Sequence, residues 1–369
     1  MKNNSTAYNS VRKIMKSVYE VLPWQVRSTI RKVMPSKFAV PLYEQLPFAV
    51  PFSLHIDPTN LCNFRCTFCP TGDFELLKSV SRPKGTMSYE LFCKIIDELE
   101  EMCRESGQKV NELHIYKDGE PFIHKELGKM AAYAKSKNVA GSVQTTTNAA
   151  LITKERAVEI IESGLDLIRV SVEHVNDEGY KGVTQNYSNY NLVKENVRFL
   201  FEEKTRRKSP LTIKTKIVDM DFDEGTIKKF FDDFGPISDQ INVNNLMGWS
   251  YSDIKDFTLG LKVKRGMGDA AKLRMKNVCP EPFRSLAINF NGQVSVCCVD
   301  WSLGTVVGDV NKESLKDIWN GEQLKQFRVL HLNGRKDEIK PCRNCHYLKG
   351  FPDHLYLDDK IEALKKIYI

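Results

Sequence analysis

Three cysteines stand close together in the run Cys62-Asn-Phe-Arg-Cys66-Thr-Phe-Cys69, a C-x3-C-x2-C spacing. An odd, crowded trio cannot pair off into disulfides. Three thiolates on one short loop can hold three irons of a cubane cluster and leave the fourth iron open to a small molecule. Structural zinc takes four protein ligands, usually as two separated pairs, so the trio suits it poorly. The competing reading is of cysteines that are merely buried. A second set follows at Cys279, Cys297, Cys298, Cys342 and Cys345, five cysteines in under seventy residues. Asn291-Gly292 between apolar runs reads as a hairpin turn that presents Cys297 on its second strand, facing the Cys342-x2-Cys345 knuckle. Thiolates from Cys279, Cys297, Cys342 and Cys345 complete a four-ligand shell, for iron-sulfur or for zinc.

Elements must carry these loops. From about residue 52 to 245 short apolar β-rich runs alternate with helical patterns, the signature of parallel βα units. Strands are expected at Phe52 to Asp57, Glu112 to Tyr116, Ser142 to Thr146, Leu167 to Val172, Leu211 to Val218 and Gln240 to Val243. Helices are expected at Ser88 to Glu105, Lys125 to Lys137, Lys154 to Ser163, Asn189 to Glu203 and Glu224 to Phe234. Cys93 and Cys103 fall within the first helix and read as small core residues. Residues 246 to 278 show no strand periodicity and read as a linker or a substrate-facing loop.

The first cysteine loop resembles that of the radical S-adenosylmethionine enzymes, including the aromatic before the last cysteine, here Phe68. The resemblance implies a [4Fe-4S] cluster on Cys62, Cys66 and Cys69 whose open iron is chelated by S-adenosylmethionine. One electron then cleaves the cofactor to methionine and a 5'-deoxyadenosyl radical, which takes a hydrogen atom from the substrate. It also implies an α/β fold, a partial (β/α)6 TIM-like barrel with the site at the strands' C-terminal ends. Asp118-Gly119-Glu120-Pro121 matches the family's Gly-Gly-Glu-Pro turn at three of four positions, which gives Gly119 and Glu120 to the methionine amino group. Thr147-Asn148-Ala149 resembles the Thr-Asn-Gly turn, bringing in Asn148. Ser171 and Glu173, on one face by alternation, correspond to residues that bind the ribose and the carboxylate end. Lys181 stands where relatives place an arginine for the methionine carboxylate, without the bidentate fork.

The second cysteine region resembles the SPASM and Twitch extensions of these enzymes, a small C-terminal cysteine-rich iron-sulfur domain. It carries their Gly-x4-Cys spacing from Gly292 to Cys297 and the run Asp317-Ile-Trp-Asn320. The Cys-x5-Cys-x3-Cys continuation of a full SPASM domain is missing after Cys345, so the resemblance implies one auxiliary [4Fe-4S] cluster, with zinc as the structural alternative. Cys298 is left over: it is buried on the opposite face, or replaces Cys297 as a ligand, or donates a hydrogen atom to a substrate radical. The implied domains are an arm over 1–50, the barrel over 51–248, a linker over 249–278, the auxiliary domain over 279–348 and a tail helix over 349–369.

Of the net charge of +7, all comes from residues 1 to 37, where eight Lys or Arg face the single acid Glu20. Apolar residues recur at helical spacing from Val11 to Met34, giving a basic amphipathic arm. It packs on the enzyme, or makes peripheral contact with an anionic membrane surface. No basic, aromatic stripe continues into the body, which argues against nucleic acid. Hydrophobic content of 41% and charge of 27% are ordinary for a globular protein. Without a signal peptide or membrane span, a cytoplasmic, reducing setting is expected for the ten cysteines. By analogy with single-cluster relatives, the reaction is oxidation or epimerisation of a carbohydrate-like substrate, free or nucleotide- or lipid-linked, with flavodoxin or ferredoxin as electron donor. The alternatives are a peptide or protein maturase and a non-catalytic iron-sulfur or zinc protein.

Overall fold

The computed structural model describes residues 40–263, 266–267 and 273–369. The amphipathic pattern of the N-terminal arm lies outside the described residues. Six parallel strands follow one another in sequence and in space: β1 (Ser53–Ile56), β2 (Glu112–His114), β3 (Val143–Thr147), β4 (Leu167–Val172), β5 (Thr212–Asp219) and β6 (Gln240–Asn245). The intervening helices are α1 (Tyr89–Ser106), α2 (Leu127–Lys137), α3 (Lys154–Glu162), α4 (Asp177–Thr184), α5 (Tyr190–Arg206) and α6 (Glu224–Phe234). Their ends are set locally. Ser88 caps α1 by accepting from Leu91 N at 3.1 Å, and Gly107 ends it at φ 66°. Asp223 caps α6 in the same way through Thr226 N, at 2.7 Å.

Alternation along the strands decides what faces what. On β4, Ile168, Val170 and Val172 are fully buried against the helices, while Arg169 and Ser171 point to the barrel interior. On β5, Ile213, Thr215 and Ile217 do the same, leaving Lys214 and Lys216 inward. The helices answer with Ile95, Ile96 and Leu99, with Ile160, with Val193, Val197 and Leu200, and with Phe230 and Phe234, all completely buried. Each such side chain contributes roughly 1.5–3 kcal/mol by leaving water. Cys93 and Cys103 differ from the expectation of core residues. Both are half-buried at the flank of the apolar stripe, and Cys103 Sγ reaches Val139 O at 3.6 Å.

The C-terminal region does not stand apart from the barrel. β7 (Ser285–Ile288) pairs parallel with β1, Ser53 opposite Ser285, and β8 (Gln293–Ser295) and β9 (Val306–Asp309) continue antiparallel. The result is one nine-stranded sheet. An unpaired β1 would present an open edge, which β7 covers with a buried run. The Asn291-Gly292 turn forms the expected hairpin, with Gly292 at φ 90°. Cys297 lies two residues past β8 rather than on it. Helices α7 (Leu315–Asn320) and α8 (Glu322–Leu332) follow. Within α7, Ile318 and Trp319 are buried and Trp319 Nε1 donates to Phe48 O at 3.1 Å. The expected tail helix narrows to α9 (Ile361–Tyr368). Among the described residues no helix is long and apolar enough to cross a membrane.

Candidate functional site

The loop after β1 carries Cys62, Cys66 and Cys69, all free and half-buried. It is held from three sides. Arg65 N and Thr67 N donate to Thr184 O and Val183 O at the end of α4, at 3.1 and 2.9 Å. Thr71 Oγ1 donates to Asp118 O at 2.9 Å. From the linker, Trp249 Nε1 donates to the carbonyl of Phe68 at 3.1 Å. Burial pushes the Cys69 thiol up to about 11, and Cys62 and Cys66 higher still. Such thiols take iron with release of their protons.

The turn after β2 docks on this loop. A Cβ on Gly119 would overlap the carbonyl oxygens of Thr59 and Leu61, so only glycine allows the approach. Glu120 N donates to Leu61 O at 2.8 Å. The Glu120 carboxylate accepts from Phe122 N at 3.0 Å, Thr147 Oγ1 at 2.7 Å and Asn148 N at 2.7 Å. Burial outweighs these donors and raises the carboxyl to about 7. Asn148 Nδ2 donates to Asn63 Oδ1 at 2.8 Å, tying the turn after β3 to the cysteine loop. Ala149 adopts φ 61°, in the left-handed region that favours glycine.

Asp118, where the resembled motif has glycine, sits in a buried ionic cluster. Its carboxylate pairs with Arg82 and Lys117, whose other hydrogen bonds go to the carbonyls of Trp301 and Asp300. Asp118 N donates to Asp57 Oδ1 at 3.4 Å, and burial with the Asp118 charge raises Asp57 to about 7. The cluster thus joins the first cysteine loop to the loop that follows Cys297.

Ser171 and Glu173 lie on the inward face at the end of β4. Glu173 is buried and raised to about 7 by desolvation, countered by Lys216. Lys181 is exposed on α4, and its neighbour Tyr180 is the one turned inward and buried. Lys216, opposite Ser171 on β5, is the cation the structure brings to this face. The signal was present in Lys214-Thr-Lys216: two lysines alternating with buried residues in a strand must point into the barrel.

Cys279, Cys297, Cys342 and Cys345 line one cavity, shared with Glu281 and Asp300. Cys298 does not line it. It turns toward His55 on β1, and the adjacent Cys297 thiol together with His55 pulls its pKa down. His55 stacks on His114 with ring centroids 4.3 Å apart, and Tyr116 meets both rings edge-on. Among the described residues, no three His, Cys, Asp or Glu side chains gather tightly enough for a single metal ion. The first set offers three half-buried thiols on one loop and the second four thiols around one cavity, the donors that iron-sulfur clusters take.

Residues 56–224 match the Radical SAM superfamily, and residues 279–346 match SPASM, an iron-sulfur cluster-binding domain. The chain is 23% identical over 330 residues to the tungsten-containing aldehyde ferredoxin oxidoreductase cofactor-modifying protein of Pyrococcus furiosus, covering 79% of this chain and 86% of that one. It is 29% identical over 167 residues to the dTDP-4-amino-4,6-dideoxy-D-glucose ammonia-lyase of Streptomyces venezuelae, covering 44% of this chain and 32% of that one. Among solved structures, Streptococcus suis SuiB superposes with a TM-score of 0.58 at 13% identity, over 85% of this chain and 79% of the other. AdoMet-bound anSMEcpe does so at 0.55 and 12%, over 86% and 96%. At these identities the likeness is one of fold.

Proposed function

The chain belongs to the radical SAM superfamily and carries a SPASM domain, and from that premise we propose that it oxidises or epimerises a small, carbohydrate-like substrate inside the barrel. As a member it binds a [4Fe-4S] cluster with S-adenosylmethionine, and its SPASM domain binds further iron-sulfur. When bound, the reduced cluster and S-adenosylmethionine supply a hydrogen-abstracting radical.

Cys62, Cys66 and Cys69 would hold the first cluster, and Cys279, Cys297, Cys342 and Cys345 the auxiliary one. Glu120 accepts three hydrogen bonds from the protein, and a carboxylate has about four acceptor sites, so one remains for the cofactor's ammonium group. Asn148 keeps the turns in register. Ser171 and Glu173 face the space where the ribose and the methionine end would lie. A flavodoxin or ferredoxin would deliver the electron.

The observation that carries the substrate reading is the polar inward face of the sheet. Closed eight-stranded barrels are filled by branched aliphatic side chains. Here Tyr116, Thr146, Arg169, Ser171, Lys216 and Asn242 occupy inward positions on β3 to β6 and just after β2. A chamber of hydroxyl, amide and cationic groups suits a polyhydroxylated molecule better than an apolar one. The Streptomyces venezuelae relative, whose name gives a nucleotide-linked aminodeoxy sugar as its substrate, supports the same class. Cys298 and His55 lie between this chamber and the auxiliary cysteines, on the route an electron would take in an oxidation.

The test incubates the anaerobically reconstituted chain, S-adenosylmethionine and a reductant with deuterated sugars, sugar nucleotides and, as a contrast, peptides. Deuterium in 5'-deoxyadenosine from a sugar is expected. From a sugar deuterated at the reacting carbon, a product that has lost the deuterium and one further hydrogen means oxidation, and a product in which a solvent hydrogen has replaced the deuterium means epimerisation. Turnover of peptides alone would replace this reading with peptide maturation.

A further inference from the structure

The interior of the barrel holds more polar groups than the fold satisfies. His55 Nδ1, His114 Nδ1, Gln144 Oε1, Arg169 Nη1 and Asn242 Oδ1 are buried without a hydrogen-bond partner. They come from five strands, and each sits at an inward position of its strand. His114 and Gln144 are 5% and 4% exposed, so bulk water does not serve them. Native proteins leave few buried polar atoms unpaired, because each costs about 1–3 kcal/mol. Five converging on one space point to a polar ligand.

Charge narrows its class. Arg169 on β4 stands in register with Lys214 on β5, and Ser171, one inward step along β4, with Lys216. Arg169 and Lys216 therefore occupy successive inward layers of adjacent strands. Neither forms an ion pair among the described residues. The cations buried more deeply than these two all have hydrogen-bond partners: Arg82 and Lys117 pair with Asp118, Lys204 with Asp239 at 2.6 Å, and, without an ion pair, Lys276 donates to Lys349 O at 3.1 Å and Arg328 to Pro282 O at 2.9 Å. Two carboxylates act on Arg169 and Lys216 through space without reaching ion-pair distance, Glu112 on the first and Glu173 on the second. Glu112 is engaged by His114 Nε2 at 3.4 Å, and Glu173 lies near Lys216 without an ion pair to it. Two half-buried cations with no carboxylate in hydrogen-bond contact leave an anionic ligand to supply one.

We propose that Arg169 and Lys216 form an anion site inside the barrel that receives a phosphate or carboxylate group of the substrate. The inference rests on the reading of the barrel interior as the substrate chamber and narrows that substrate from a neutral polyol to an anionic one. Arg169 offers the planar fork that suits such oxygens, and Lys216 a point charge one layer nearer the cofactor turn.

The test uses the reconstituted full chain saturated with S-adenosylmethionine, with inorganic phosphate and malonate as separate probes. Binding is measured by calorimetry. For phosphate, 31P relaxation is compared between oxidised and reduced clusters in protein without S-adenosylmethionine, which a reduced cluster would cleave, since a phosphate held in the barrel relaxes faster beside a paramagnetic cluster. Arg169→Gln and Lys216→Gln are each expected to weaken binding by about tenfold or more, the value of one charged hydrogen bond. Arg169→Lys and Lys216→Arg should keep most of the affinity, and the exposed Lys129→Gln all of it. Iron content checks that each variant is folded. Phosphate binding without malonate binding assigns a phosphorylated substrate, and the converse a carboxylate. Failure of both probes to bind, affinity indifferent to both Gln variants, or weakened S-adenosylmethionine binding in Lys216→Gln with phosphate binding intact would each overturn the site. Deuterium transfer from a neutral sugar alongside such a result would leave the substrate chamber standing and remove only the anion.

Discussion

Removing the Asp118 carboxylate should destabilise the protein more than almost any other single change outside the apolar core. The side chains of Asp118, Arg82 and Lys117 are 1%, 3% and 0% exposed, so solvent does little to screen them. With Asp118 gone, the two buried cations lose their hydrogen-bonded carboxylate and keep only the through-space attraction of Asp57 and, for Arg82, of Asp300. Breaking a buried pair from one side costs about 3–5 kcal/mol, because the charge left behind has neither water nor partner. Asp118→Ala is therefore expected to lose about that much, and Asp118→Asn somewhat less. Replacing the whole group, as in Arg82→Met with Lys117→Met and Asp118→Gly, should return to within about 1 kcal/mol of the parent, since an apolar substitute avoids the desolvation cost. Anaerobic urea unfolding followed by far-UV circular dichroism gives the comparison. An Asp118→Ala protein within about 1 kcal/mol of the parent would refute the reasoning.

Gly119→Ala forces a methyl into the carbonyls of Thr59 and Leu61, so S-adenosylmethionine binding should fall at least tenfold by equilibrium dialysis, roughly the 1–3 kcal/mol of an overpacked site; unchanged affinity would show that the turn does not dock on the loop in solution. Cys297→Ala should lose about four irons while Cys298→Ala keeps the full complement, and the reverse pattern in iron analysis would exchange their roles. Because Glu120 is neutral below about 7 and anionic above it, S-adenosylmethionine should bind about tenfold tighter at pH 8 than at pH 6, with the difference gone in Glu120→Gln. A parent protein whose affinity ignores pH over that range would remove Glu120 from the ammonium.

The barrel was legible because its outward faces are written in buried aliphatics. Ile168, Val170 and Val172 alternate cleanly, and β4 and α6 end where periodicity places them. Helix α4 was not foreseen, since Gly179 and Gly182 interrupt its pattern; Gly179 is required where His174 crowds the backbone. The pairing of β7 with β1 was hidden because Ser285-Leu-Ala-Ile288 reads as any short buried strand, and nothing in it names a partner. The cysteine loop and Glu120 were read from short local motifs, Cys62-x3-Cys66-x2-Cys69 and Asp118-Gly-Glu-Pro121. The Asp118 cluster and the inward cations Arg169 and Lys216 depend on contacts between distant segments, and only the fold reveals them.

The most direct test of the account is the iron and acid-labile sulfide content of the anaerobically reconstituted chain beside its Cys62, Cys66 and Cys69 triple Ala variant. About eight irons falling to about four is the expected result, one [4Fe-4S] cluster in the cysteine loop and one in the cavity of Cys279, Cys297, Cys342 and Cys345. About four falling to none, with zinc in the protein, would contradict a second cluster beside the substrate chamber and leave an oxidation without its electron acceptor.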